Sequence, residues 1–309
     1  MGNPSNFFYR DMQKEASVGG FLFVVMIYKV IILLVSQEVE CYNNIKITEW
    51  EAKMIDLKKA QEVFQNYLQQ YDKTDDKIRL KIAHTYGVVS ACKYIARVMR
   101  LGEEDAKLAE LIGLLHDIGR FEQLRIYHSF DDSLMPHAQC SIDILFKENM
   151  IEQFLEERQW DEIIYLAIKY HGVYQMPDDM PKRGDMHTKI IRDADKLDNF
   201  RVKQVSSMVT MVDVDEKELG TEAITEAIYE KFLNHIPILN SERKTHMDMW
   251  ISYLGYIFDL NYPASFQYIK EKDYMNKIID RVPYTNPDTQ KKMEEIRRAA
   301  NQYVEEHCK

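Results

Sequence analysis

The chain is predicted to be all-α. From Trp50 onward nearly every segment places its apolar residues at steps of three and four, the spacing of one helix face. No stretch shows the apolar/polar alternation of a strand or the turn chemistry of a hairpin. Glycine (11) and proline (8) are few among 309 residues of which 46% are hydrophobic, so the composition suits a helix-rich globular protein with ample core.

The elements follow in order. Residues 51–71 read as a first helix, ending before the polar run Tyr71-Asp72-Lys73-Thr74-Asp75-Asp76. Residues 76–100 form a second, in which Leu80, His84, Val88, Ala91 and Ile95 share a buried stripe that fixes and desolvates His84. A third begins at Glu103-Glu104-Asp105, acids that favour an amino-terminal turn, and is expected to stop at Gly119 with His116 and Asp117 in its last turn. Pro136 opens a fourth carrying His137 in its first turn. Residues 160–170 give a fifth, with Gly172 after His171 as its stop, and a sixth begins around His187 and carries Asp193-Ala194-Asp195-Lys196-Leu197-Asp198. Further helices are expected near 215–235, 241–260, 263–280 and 287–307. With no internal repeat and no low-complexity linker, residues 51–200 are expected to form the site-bearing domain and 201–309 a helical extension packed on the same core.

A net charge of −10 argues against general nucleic-acid binding, which needs clustered cations. The cysteines Cys41, Cys92, Cys140 and Cys308 form no CxxC pair, which disfavours a disulfide framework or a cysteine-rich zinc site and fits a reducing, cytoplasmic setting. Residues 1–50 read as a leader. Their apolar run over residues 20–35 is interrupted by Lys29 and is short of the about 20 apolar residues a bilayer core requires. Membrane anchoring through 20–35 is the alternative to a cytoplasmic location, and Met54 is an alternative natural start.

The most informative stretch is Leu114-Leu115-His116-Asp117-Ile118-Gly119-Arg120-Phe121. Adjacent His and Asp amid apolar neighbours are expected to be buried, where an unpaired carboxylate is costly, and metal ligation resolves that conflict. Imidazole nitrogen and carboxylate oxygen together suit Mn, Fe, Ni, Co, Zn or Mg. His84 upstream, and His137, His171 and the aspartate run downstream, extend the set. Helical periodicity does not choose among the aspartates: Asp195 and Asp198 share a face with Ile191, and Asp193 lies with Ile190 and Leu197. Arg120 can pair a phosphate in bidentate fashion. Glu122 is a candidate to orient a metal-bound water or to hold Arg120, and Lys196 to neutralise an oxyanion. Each of the three also reads as a surface charge. His128, His187, His235, His246 and His307 have no such context and read as structural.

From His84 to Asp198 the chain resembles the HD superfamily of metal-dependent phosphohydrolases, in which a His, a His-Asp pair and a distant Asp in an Ala-Asp-x-Leu context hold metal. The resemblance implies an HD-type helical bundle with additional C-terminal helices. It selects Asp195 as the distal ligand, leaving Asp193 and Asp198 as supporting or solvent-facing groups. Binuclear members add two histidines between the pair and the last Asp, and His137 and His171 fill both positions. Tyr170-His171 replaces a His-His pair of some relatives, which disfavours a third ion. The implied ligand set is His84, His116, Asp117, His137, His171 and Asp195 around one or two divalent ions, with Asp117 bridging. The implied activity is hydrolysis, by a metal-activated hydroxide, of a phosphomonoester or phosphodiester such as a nucleotide. HD-fold di-iron oxygenases share the ligand set and are the first alternative, with a non-catalytic metal-stabilised sensing module as the second. A cyclic-dinucleotide phosphodiesterase ranks lower, because Asn199-Phe200-Arg201-Val202-Lys203 does not resemble that family's extra motif.

Overall fold

The computed structural model describes residues 55–309, and among them every regular element is helical. The sequence readings for residues 1–54, namely the leader, the apolar run at 20–35, the start at Met54 and the first residues of the first helix, lie outside the described residues. Among those described, no helix is long and apolar enough to cross a membrane.

Helix α1 (Leu57–Tyr67) starts where the Asp56 carboxylate accepts from the amides of Lys58 and Lys59, and Asp75 does the same for α2 (Asp76–Val98). The third helix ends earlier than its sequence suggests. It divides into α3 (Glu103–Leu115) and α4 (Ile118–Tyr127), with the break at Asp117, whose φ of −110° and ψ of 21° leave the helical region. Gly119 is therefore no left-handed stop; no described glycine has positive φ. A Cβ at Gly119 would stand 2.5 Å from Ser141 N and 2.7 Å from His137 O, so glycine there permits backbone contact between α4 and α5 (His137–Ile142).

Beyond α5 a single π turn (Asp143–Lys147) and the short α6 (Ile151–Phe154) lead to α7 (Asp161–Tyr170). The long α8 (Lys182–Val205) begins a turn before the expected start and passes through the expected domain boundary at residue 200. Alpha-helices α2, α3 and α7 pack along it. Several expected later helices are divided. Residues 215–235 give α10 (Glu216–Leu219) and α11 (Glu226–Leu233), preceded by α9 (Met208–Val212). Residues 241–260 give α12 (His246–Leu254) and a 3₁₀ turn. Residues 263–280 split into α13 (Pro263–Lys272) and α14 (Tyr274–Asp280) at Asp273, where φ is 54°. Helix α15 (Pro287–His307) is continuous, with Pro287 in its first turn and Asn286 capping it.

One hydrophobic cluster extends from Ile55 to Val304, so the C-terminal helices share the core of α2, α3 and α8. The Asp193 carboxylate supplies a polar tie within that packing. It accepts from the backbone amides of Asn261 (3.0 Å) and Tyr262 (3.1 Å), from Asn261 Nδ2 (2.8 Å) and from Ser265 Oγ (2.6 Å). Asp193 thus belongs to the junction with the C-terminal helices.

Candidate metal centre

The break at Asp117 explains how two adjacent residues address one point. In an uninterrupted helix neighbours diverge by about 100°. With α3 ended at Leu115 and α4 restarting at Ile118, His116 and Asp117 both turn inward and are almost fully buried. His84 reaches the same place from α2, Asp195 from α8, His137 from the first turn of α5 and His171 from the end of α7.

The six side chains fall into two groups. His84, His116 and Asp195 present ligand atoms within 4.8 Å of one another, as do Asp117, His137 and His171. Asp117 joins the groups through separate oxygens. Its Oδ2 lies 3.5 Å from His116 Nε2 and 4.0 Å from His84 Nε2, while its Oδ1 lies 3.4 Å from His137 Nε2 and 3.8 Å from His171 Nε2. Asp195 Oδ1 stands 3.0 Å from His84 Nε2.

Each imidazole is anchored by its outer nitrogen. Nδ1 of His116 donates to Gly113 O (2.8 Å) and Nδ1 of His171 to Ile168 O (2.7 Å). Nδ1 of His84 meets Asp198 Oδ2 and Nδ1 of His137 meets Asp132 Oδ1, each at 2.7 Å. Carbonyls and carboxylates only accept, so every Nδ1 carries its hydrogen, and in the neutral ring the Nε2 lone pair faces the centre, where those of His137 and His171 stand 3.0 Å apart. His84 Nε2, His116 Nε2 and Asp117 Oδ1 are buried without a hydrogen-bond partner. Inward lone pairs, outward anchors and orphaned buried acceptors fit a divalent cation, and these groups can hold one.

Electrostatics favour the same pattern at three of the four rings. Burial pushes the His171 imidazole down to about 4, with the neighbouring His116 adding to the effect, and burial likewise lowers His116 and His137. Burial alone would raise the Asp117 carboxyl, but Lys81, His116, His137 and Arg120 hold it well below the usual carboxylate range. His116, His137 and His171 are therefore neutral beside ionised carboxylates, whereas at His84 burial is outweighed by the bonds to Asp195 and Asp198, which lift the ring above its ordinary value; a cation at Nε2 would take the place of that proton.

Five of these ligands, His84, Asp117, His137, His171 and Asp195, line a cavity of about 660 Å³, with His116 buried behind them. Arg120 lies at its rim, 3.5 Å from His137 Nε2, but its guanidinium is already engaged by Asp132 Oδ1 (2.6 Å) and Phe130 O (3.0 Å). Lys196 also lines the cavity and pairs with Asp259 at 2.9 Å. Glu122 is not brought to the cluster. Five positions beyond Asp117 turn a helix by about 140°, and its carboxylate binds Arg125 Nε (3.0 Å) and Tyr71 Oη (3.3 Å) in a separate cleft. It neither faces the centre nor holds Arg120. Asp198, left open between support and solvent, is buried against His84.

Sequence reasoning missed Lys81, which bonds Asp117 Oδ2, and Asp132, which orients His137. Lys81 was findable, since it precedes His84 by one turn on the same face. Asp132 lies in an irregular loop and left no periodic trace. Among the remaining histidines, His187 pairs with Asp105 at 2.9 Å and His246 with Glu222 at 2.6 Å, both away from the cluster.

Comparison with known proteins adds one positive finding. No curated protein and no solved structure matches the chain. Residues 82–200 match the family model of the HD domain, a span that begins just before His84 and ends just after Asp198. The converging ligands lie within that span, so residues 82–200 carry an HD domain.

Proposed function

We propose that the protein is a metal-dependent phosphohydrolase acting on a small phosphomonoester or phosphodiester, with a nucleotide as the preferred class. The observation that carries this reading is the placement of the two Asp117 oxygens toward separate histidine groups at the floor of a cavity rimmed by cations. His84, His116 and Asp195 would hold one ion, His137 and His171 a second, with Asp117 shared. Four imidazoles favour a first-row transition metal such as Mn, Fe, Co, Ni or Zn over Mg. When bound, such ions supply an activated water and Lewis acidity toward phosphoryl oxygens.

The chain's own groups do the remainder. Asp198, Gly113 O, Asp132 and Ile168 O keep the four Nε2 atoms aimed inward. Arg120 and Lys196 place positive charge beside the phosphoryl group, each held in position by a carboxylate. Phe130, Tyr174 and Tyr256 line the cavity and offer faces on which a base can stack. Free thiols at Cys92, Cys140 and Cys308 support a reducing, cytoplasmic setting.

The test is elemental analysis of protein purified without added metal, followed by a panel of phosphoesters read by phosphate release. Chelation should abolish turnover and re-addition of metal should restore it. Asp117→Ala should keep the helical circular dichroism and lose at least about a hundredfold in turnover. Absence of phosphate release with every metal, or substrate-dependent dioxygen uptake by an iron-loaded sample, overturns the proposal.

A further inference from the structure

Two cations of the cavity make no direct ion pair among the described residues, although Asp195 acts on Lys203 from a distance. Lys81 is bonded to Asp117, Arg120 to Asp132, and Arg192 and Lys196 share Asp259. Lys203 and Arg243 line the same cavity, and neither forms an ion pair among the described residues; the side-chain partner of Arg243 is the neutral Tyr256 hydroxyl. Lys203 is only 5% exposed. Its Nζ lies 3.9 Å above the Tyr253 ring and the Arg243 guanidinium lies 5.6 Å from that ring, so one aromatic ring serves both charges. The Arg243 Nε is buried and has no acceptor.

A buried ammonium without a counter-ion is costly, and a ring quadrupole offsets only part of that cost. Burial, reinforced by Lys81, pushes the Lys203 ammonium down to about 7. An anion beside it would restore the charged form, and the fork of Arg243 matches two oxygens of a phosphate. The position is distinct from the ligand cluster in sequence: Lys203 sits near the carboxyl end of α8, Arg243 precedes α12 and Tyr253 lies on α12.

We propose that Lys203, Arg243 and Tyr253 form a subsite for a second phosphoryl group, so that the substrate is a small molecule carrying two phosphates, one at the metal centre and one here. The first half of that statement rests on the hydrolase reading above; the subsite itself does not. The end of α8 together with α12 and the segment before it thereby selects the substrate, while the ligand cluster supplies the chemistry.

The test uses the metal-loaded, full-length protein and titration calorimetry with three probes: inorganic phosphate, methylenebisphosphonate (two phosphoryl groups on one bridge) and adenosine 3′,5′-bisphosphate (two on separate carbons). Wild type should bind at least one of the two-headed probes on the order of tenfold or more tightly than inorganic phosphate, since a charge-assisted pair is at stake. Which probe gains the advantage tells whether the phosphates are contiguous or separated. Lys203→Met and Arg243→Gln should each erase that advantage. Arg243, half-buried in a loop segment, provides the variant least exposed to misfolding, with circular dichroism as control. Wild type showing no advantage for either two-headed probe, or folded variants retaining it, overturns the subsite, even if monoesters are hydrolysed. An advantage that the variants erase, without phosphate release from any substrate, upholds the subsite and removes the hydrolase reading.

Discussion

Asp198 Oδ2 receives the Nδ1 hydrogen of His84 at 2.7 Å, while Asp195 Oδ1 stands 3.0 Å from Nε2 of the same ring. One imidazole is thus gripped by two aspartates a helical turn apart, one fixing its tautomer and the other beside its free lone pair. Gly87 makes the arrangement possible, because a Cβ there would sit 1.7 Å from Asp198 Oδ1.

Asp198→Asn should therefore weaken metal binding without unfolding the protein. The amide still accepts from Nδ1 but no longer raises the basicity of the ring, and loss of such a partner costs about 10–100-fold in metal affinity. A competitive chelator titration measures it. Unchanged affinity would remove Asp198 from its supporting role.

Gly119→Ala tests the contact between α4 and α5. The new methyl would collide with the backbone of His137, Cys140 and Ser141, forcing α5 outward. A stability loss of about 1–3 kcal/mol is expected from overpacking. His137 should retreat with the helix, so metal content per chain should fall toward a single ion, read by elemental analysis alongside thermal melting.

Acid should destabilise the metal-free protein. The His171 pKa is lowered in the folded state to about 4 from an ordinary 6.5, so the unfolded chain binds the proton first. Stability from this group is complete above about pH 6.5 and is lost as pH falls toward 4, amounting to about 2 kcal/mol by pH 5. His116 and His137 shift the same way and add to the loss, while His84, shifted upward by Asp195 and Asp198 against its burial, offsets part of it. Chelator-treated protein should melt at a lower temperature at pH 5 than at pH 7; a flat profile would contradict the buried neutral imidazoles.

Asp193→Ala should loosen the C-terminal helices. Two backbone amides, the Asn261 amide and the Ser265 hydroxyl would all lose their acceptor in a buried site. A cost of about 3 kcal/mol is expected from stranding such donors. Denaturant unfolding measures the total, and hydrogen exchange should locate the loss in α13.

The sequence was most readable where chemistry and spacing coincide. His116 and Asp117 are side chains that an apolar context makes expensive to bury, and the spacing of His84, His137 and His171 around them, read with the family resemblance, joined them into one set. Periodicity did not separate Asp195 from Asp198, and the structure gives the reason: both turn toward His84, from opposite sides of the ring. Gly119 was misread because a local rule ties glycine to helix ends, whereas the actual requirement is the proximity of α5, a tertiary fact. The counterparts of Lys203 and Arg243 were equally hidden, since the Tyr253 ring that joins them is distant from Lys203 in the chain.

The ligands are gathered from helices that span positions 84 to 195, and α8 must dock before the last of them arrives. An ion that favours only the assembled pocket would act as a clasp on the whole bundle, contributing about 2.7 kcal/mol when its free concentration is a hundred times its dissociation constant. Scarcity of that ion would then shorten the protein's lifetime as well as silence it, so that cellular abundance would track the supply of the ion.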